Sequence, residues 1–182
     1  MTAAAGACNR IAPFDPDKHD RTDFSCGVVQ VDNYFKRTAN KLVKAGNLRL
    51  YVMVGPDDGL IGFYAINAHA VKFGELPKKF ARNRPGHGSI PAAYISMIGV
   101  DQRFSGQGYG GILLADALTR IARAADEIGI SVVMLDVLDC GNPDLVERRK
   151  RLYTGYGLTP LPSNELRLFM PLATVRAITK PN

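Results

Sequence analysis

The sequence predicts an α/β (α+β) fold with one central mixed, largely antiparallel sheet flanked by helices. Three observations carry this. Two apolar, β-branched and aromatic runs, residues 48–54 and 60–68, flank Gly55-Pro-Asp-Asp-Gly59, a turn composition, and read as an antiparallel hairpin. A strand–helix–strand–helix–strand series follows over residues 92–171. Within it, residues 131–138 are almost continuously apolar, as a strand covered on both faces is.

In chain order, Met1 to Cys8 are small and apolar but lack the basic flank and long apolar centre of a signal peptide. About residues 1–9 therefore read as a frayed terminus of a single domain spanning 1–182. Val28 to Ala45 reads as a helix, with Val31, Phe35, Leu42 and Ala45 at helical spacing and Gly46 stopping it. After the hairpin, Glu75 to Asn83 reads as a short helix, Arg84-Pro-Gly-His-Gly88 as a loop, and Ala92 to Val100 as a strand. A long helix runs from about Gly108 to Ile128. Leu114, Leu118, Ile121, Ala125 and Ile128 form its buried stripe, Asp116, Arg120, Arg123 and Glu127 face out, and Gly129 supplies a left-handed end. Ser131 to Leu138 is the central strand, Pro143 to Tyr156 a helix with a basic middle, and Leu166 to Pro171 the last strand.

A chain of 182 residues has room for one domain with a real core, and 46% apolar with 22% charged residues is the balance of a soluble globular protein. No run approaches eighteen apolar residues, so no membrane span is expected. Cys8, Cys26 and Cys140 are odd in number and scattered, which suits reduced thiols in a cytoplasm. His19, His69 and His87 share no metal-ligand spacing and read as surface or loop residues, so no metal is expected. The net charge of +6 permits a polyanionic partner without requiring one.

Chemistry concentrates at Arg103-Phe-Ser-Gly106-Gln107-Gly108-Tyr109-Gly110, between a strand and a helix. Glycines there let a phosphate approach the backbone, the helix start adds roughly half a positive charge, and Arg103 can add a charge-assisted fork. A P-loop is excluded, because Gly110 and Gly111 are followed by Ile112 and not by Lys-Ser or Lys-Thr. Gly106, Gly108 and Gly111 do satisfy G-x-G-x-x-G, with Asp136 downstream. Yet five residues, Asp101 to Ser105, separate strand from glycines, where a dinucleotide turn should be tight. A merely flexible loop opening a helix is the bland alternative.

From Ile98 to Gly110 the sequence resembles motif A of the GNAT superfamily of acetyltransferases, whose signature is Arg or Gln, two residues, Gly, one residue, Gly or Ala. Arg151-Leu-Tyr-Thr-Gly-Tyr-Gly-Leu158 resembles the family's Phe-Tyr-x-x-Phe-Gly-Phe segment, and the likeness covers about residues 24–172. The resemblance implies acetyl-CoA as acyl donor. It sets the backbone of Ile98 and Val100 along the acyl-pantetheine arm, and Gly106, Gln107, Gly108, Tyr109 and Gly110 around the pyrophosphate. It makes Tyr153 the general acid that protonates the departing thiolate, the alternative being an aromatic that packs beneath the donor. No Asp or Glu stands out as a general base. A lysine amine, with a pKa of about 10.4, is almost wholly protonated at neutral pH, whereas an α-amine at about 7.7–8 is partly free, so an enzyme without a base suits an α-amine.

Within the superfamily the chain looks like the toxins of type II toxin–antitoxin modules. The likeness rests on Phe24-Ser-Cys-Gly27, Val31-Asp-Asn-Tyr-Phe35, Ile61-Gly-Phe-Tyr-Ala-Ile66, Asp136-Val-Leu-Asp139, Leu158-Thr-Pro-Leu-Pro162 and Arg167-Leu-Phe-Met-Pro171. It implies acetylation of aminoacyl-tRNA, arrest of translation, a ribbon-helix-helix antitoxin and a homodimer. One departure is a longer stretch from Cys140 to Arg151 ahead of the tyrosine. Basic clusters at Lys36, Arg37, Lys41 and Lys44, at Lys78, Lys79, Arg82 and Arg84, and at 148–151 would suit tRNA phosphates, although each taken alone reads as a solvated face. Acetylation of a small amine or protein N-terminus, and a non-catalytic acyl-CoA-binding module, stay open as alternatives.

Overall fold

The computed structural model describes residues 8–80, 82–83 and 85–180. The predicted fraying of residues 1–7, Ala81 of the predicted short helix and Arg84 of the predicted loop lie outside the described residues. The elements are β1 (Arg10–Pro13), α1 (Val29–Asn33), α2 (Ala39–Lys44), β2 (Arg49–Val54), β3 (Leu60–Lys72), β4 (Ser89–Val100), α3 (Tyr109–Ala124), β5 (Val132–Asp136), α4 (Pro143–Gly155), β6 (Thr159–Leu161), β7 (Asn164–Pro171) and α5 (Leu172–Thr179). The seven strands run in the order β1-β2-β3-β4-β5-β7-β6. β4 and β5 are parallel, whereas β1–β2, β5–β7 and β6–β7 are antiparallel. The mixed sheet with helices is the predicted class. The chain divides into two compact units, Met1–Ala65 with Met97–Leu114, and Ile66–Ser96 with Ala115–Asn182.

The first unit is built around aromatic rings. Phe35 stacks on Phe63 at 4.1 Å and 6°, and Phe24 meets both edge-on at 4.9 and 5.6 Å. Arg21 lies over Phe14, 4.7 Å from the ring centre. β2 and β3 are neighbours joined by the predicted turn, where the Gly55 N–H donates to the Gly59 carbonyl at 2.9 Å. So short a connection permits only antiparallel strands. The predicted first helix is one helical stretch interrupted by a π-helical turn, Tyr34–Thr38. That wider turn aligns Val31, Phe35 and Ala39 in the core, so Leu42 is only half-buried and Ala45 is exposed, against the predicted stripe. His19, expected near the surface, is buried against Phe14, and its Nδ1 accepts from the Asp15 N–H at 2.9 Å. Two glycines allow close packing among β3, β4 and α3. A Cβ on Gly62 would stand 2.7 Å from the Gly99 carbonyl oxygen and 2.8 Å from Leu113 Cδ1, and one on Gly99 would stand 2.6 Å from Phe63 Cε1.

In the second unit β5 is central, with Val132, Val133, Met134 and Leu135 all buried, as its composition predicts. Val71, Leu76, Ile90, Ala92, Met134 and Phe169 cluster in its core. Asn142 caps α4, its side-chain oxygen accepting from the Asp144 and Leu145 N–H groups, and Pro143 occupies the first turn. The predicted helix over Glu75–Asn83 is instead two 3₁₀ turns, Phe73–Glu75 and Lys78–Phe80. Pro77 is the reason, since it pushes Leu76 into extended backbone at φ −87° and ψ 151°. α3 stops at Ala124, earlier than predicted, and leaves Ile128 58% exposed. There the Asp126 N–H bonds the Arg123 carbonyl three residues back, which tightens and ends the helix without the left-handed Gly129 that was expected. Asp116 and Arg120, expected on the open face, are half-buried and paired at 2.8 Å.

Candidate active site

β4 carries Ile98 and Val100, both half-buried, beyond Ile95, its last residue paired with β5. Asp101 follows as the cap of a 3₁₀ turn, Gln102–Phe104. Gly106 and Gly108 then adopt left-handed φ values of 79° and 83°. Nothing stands within 4 Å of where a Cβ would project at either glycine. The backbone thus demands glycine, and the space above it is open to a bulky anion. The Gly111 and Ile112 N–H groups both return to the Gly108 carbonyl, at 3.1 and 3.3 Å. Those of Tyr109 and Gly110 precede any intrahelical acceptor. With Gln107 exposed between the glycines, the turn and the start of α3 present backbone donors and a positive helix end, the chemistry of a phosphate cradle. The Tyr109 hydroxyl accepts from the Asn9 amide at 3.1 Å, which fixes the ring at the helix start.

Arg103 is placed differently from the expected free fork. Its Nε and Nη2 both bond the carboxylate of Asp101, each at 2.9 Å. Asp101 is 1% exposed and also accepts from the N–H groups of Arg103 at 2.9 Å and Ser25 at 3.2 Å. Burial alone would raise this carboxyl, but the hydrogen bonds from Arg103 and Ser25 outweigh it and hold it below its usual range. Three of the five Arg103 N–H donors stay outside the pair. Sequence reasoning missed Asp101, for which the available signal was an acid two residues before an arginine at a strand end.

Tyr153 lies in the second unit, near the end of α4, and is buried. Burial pushes its phenol above the usual value of 10.0, and the nearby positive charge of Arg149 partly opposes that. The group is therefore a neutral phenol throughout the physiological range. Arg149 donates to the Leu138 carbonyl at 3.1 Å and to Cys140 Sγ at 3.4 Å, tying α4 to the segment that precedes it. The hydrogen bond from Arg149 lowers the Cys140 thiol. At the end of β5, Asp136 takes a two-point bond from Arg167, at 2.8 and 2.9 Å, and a third from the Tyr94 hydroxyl at 2.9 Å. Its burial is outweighed by these bonds, so it is held below the usual carboxylate range. In the basic run, Lys150 pairs with Glu165 and Arg151 with Glu147; Arg148 and Arg151 are exposed, and Arg149 and Lys150 are half-buried. Arg37, Lys41, Lys44, Lys78, Lys79 and Arg82 are exposed.

The acetyltransferase (GNAT) family model matches residues 22–148. The chain belongs to the GNAT acetyltransferase family. It is 61% identical to the probable toxin TacT of Sinorhizobium fredii, over 97% of this chain and 98% of that protein. It is 28% identical to a tRNA-acetylating toxin of Mycobacterium tuberculosis, over 89% of this chain and 92% of that one. Two solved structures share this GNAT fold. One is AtaT complexed with acetyl-methionyl-tRNAfMet, with a TM-score of 0.81 at 22% identity, covering 95% of this chain and 100% of that chain. The other is a tyrosine-to-phenylalanine mutant of AtaT bound to the C-terminus of the antitoxin AtaR and acetyl-CoA, with a TM-score of 0.76 at 20% identity, covering 95% and 99%. At those identities the likeness is one of fold. Among the described residues, no helix is long and apolar enough to cross a membrane.

Proposed function

We propose that this GNAT enzyme is a toxin that transfers the acetyl group of acetyl-CoA to the α-amine of an aminoacyl-tRNA and so blocks translation. The observation that carries it is the open turn at Gly106 and Gly108 at the start of α3, in a chain 61% identical to a probable toxin. We read residues 1–182 as one catalytic domain, a reading supported by a family match that takes in parts of both units. Acetyl-CoA supplies an activated thioester. Gly106, Gln107, Gly108, Tyr109 and Gly110 hold its pyrophosphate through backbone N–H groups, Arg103 adds the donors left outside its pair with Asp101, and the backbone of Ile98 and Val100 guides the acyl arm.

Tyr153 donates the proton that the leaving thiolate needs. The thiolate of a thiol with a pKa of about 8.5 is a weaker base than the Tyr153 phenolate, so the phenol stays protonated until the thioester breaks and the transfer depends on its being held against the departing sulfur. Asp101 and Asp136 are both committed to arginine forks and depressed, which removes them as bases. An α-amine, partly unprotonated near neutrality, needs no carboxylate to attack; its proton leaves to water. A ribbon-helix-helix antitoxin, homodimeric assembly and a cytoplasmic setting complete the reading. The AtaT complexes with acetylated tRNA and with the antitoxin AtaR support tRNA and an antitoxin as classes of partner.

The test compares aminoacyl-tRNA with free amino acids, polyamines and N-terminal peptides as acceptors of labelled acetyl-CoA. Label on the tRNA-linked amine is the expected outcome. Preferential labelling of a small amine or peptide, with harmless expression of the wild type, overturns the toxin reading and leaves an acetyltransferase of another specificity.

A further inference from the structure

We infer that Asp101 is a positioning residue for acyl-donor binding: its buried carboxylate fixes the glycine turn through Arg103 and anchors it to the Phe24–Gly27 segment. This rests on the turn being the acetyl-CoA site. The geometry is specific. One carboxylate oxygen takes the Arg103 N–H and Nε, each at 2.9 Å, and the other takes Arg103 Nη2 at 2.9 Å and the Ser25 N–H at 3.2 Å. The main chain closes the same junction, the Gln102 N–H donating to the Ser25 carbonyl at 2.8 Å. Ser25 is itself held, its hydroxyl donating to one Asp32 oxygen at 2.9 Å and the Cys26 N–H to the other at 2.8 Å. Gly27 turns left-handed at φ 81°, and a Cβ there would stand 3.4 Å from Gln102 Oε1.

The Phe-Ser-Cys-Gly segment therefore acts as a buttress, and its polar groups reach the turn through the Asp101 carboxylate and one main-chain hydrogen bond. A turn that must present several N–H groups to one phosphate loses affinity when its conformations multiply, because binding then has to select among them. An arginine fork released from its carboxylate likewise becomes one rotamer among many. Asp101 removes both freedoms before the donor arrives.

The experiment uses the full chain and acetyl-CoA. Asp101→Asn keeps the side-chain size but gives up the charge and one acceptor oxygen. Affinity by calorimetry and KM for acetyl-CoA should worsen about 10- to 100-fold, the range for a lost charged hydrogen bond, while kcat at saturating donor stays within about threefold. A purely structural role would instead lower the melting temperature and the fraction of active enzyme with KM unchanged, and that result overturns the inference. Arg103→Lys covers the case in which Asp101→Asn does not fold, since it breaks the fork at an exposed side chain and keeps the charge. It should raise KM in the same direction, and where Asp101→Asn folds, combining the two should cost little more than either alone. Gly108→Val separates the two readings. Binding lost in Gly108→Val but unchanged in Asp101→Asn and Arg103→Lys overturns the positioning role alone. Unchanged binding in all three overturns the turn as the site.

Discussion

At the scale of residues, Tyr153→Phe should leave acetyl-CoA affinity within about twofold and lower kcat about 10²- to 10⁴-fold, the usual range for a positioned general acid. Pre-steady-state acetyl transfer measures this directly, and near wild-type turnover would reduce the residue to packing. Because burial raises the phenol, the wild-type rate should show no loss from its ionisation as pH rises to about 10. The residues proposed to perform chemistry were more legible than the one proposed to hold them. Arg103, Gly106, Gly108 and Tyr153 stand out because a phosphate cradle and a proton donor each need particular residue types in a particular order. Asp101 did not, because a carboxylate beside a strand gives no sign of being 1% exposed until the fold closes over it.

At the scale of elements, periodicity read the long pieces and missed the short ones. β1 and β6 have four and three residues, too few to show alternation, and Pro160 further disguises β6. The π-helical turn shifted the buried line of the first helix because a 3.6-residue period cannot anticipate an extra residue. The second unit also holds a cross-strand device that composition could not reveal: Tyr94 on β4, Asp136 on β5 and Arg167 on β7 share one carboxylate. Asp136 and Arg167 stand directly opposite in the β5–β7 register. The pair is 35% exposed on both sides, so solvent screening limits its worth to about 1 kcal/mol. Asp136→Asn should destabilise by about that much at neutral pH. The folded carboxyl is depressed below 3.8, so its contribution is full above that value and fades as pH falls through the folded pKa. Denaturant melts of wild type and variant should therefore converge in acid, and a constant gap down to strongly acidic pH would show that the carboxylate's charge is not what stabilises.

At the scale of the whole molecule, net charge of +6 carries information the fold does not. Among the described residues, the exposed basic side chains include those on the first helix, those just ahead of β4, Arg148 and Arg151. If about three of them meet tRNA phosphates, kcat/KM for aminoacyl-tRNA should fall about 10- to 100-fold between about 50 and 200 mM salt. KM for acetyl-CoA should move far less, and equal salt dependence for both substrates would remove tRNA phosphates from the account. The two compact units bear on a different question, that of inheritance. The chain leaves one for the other after Ala65, Ser96 and Leu114, so neither is an unbroken stretch of sequence. A single recombination event in the gene can transplant neither unit whole. Variation in acceptor choice within such a lineage then accumulates by point changes and by insertions in loops, one position at a time.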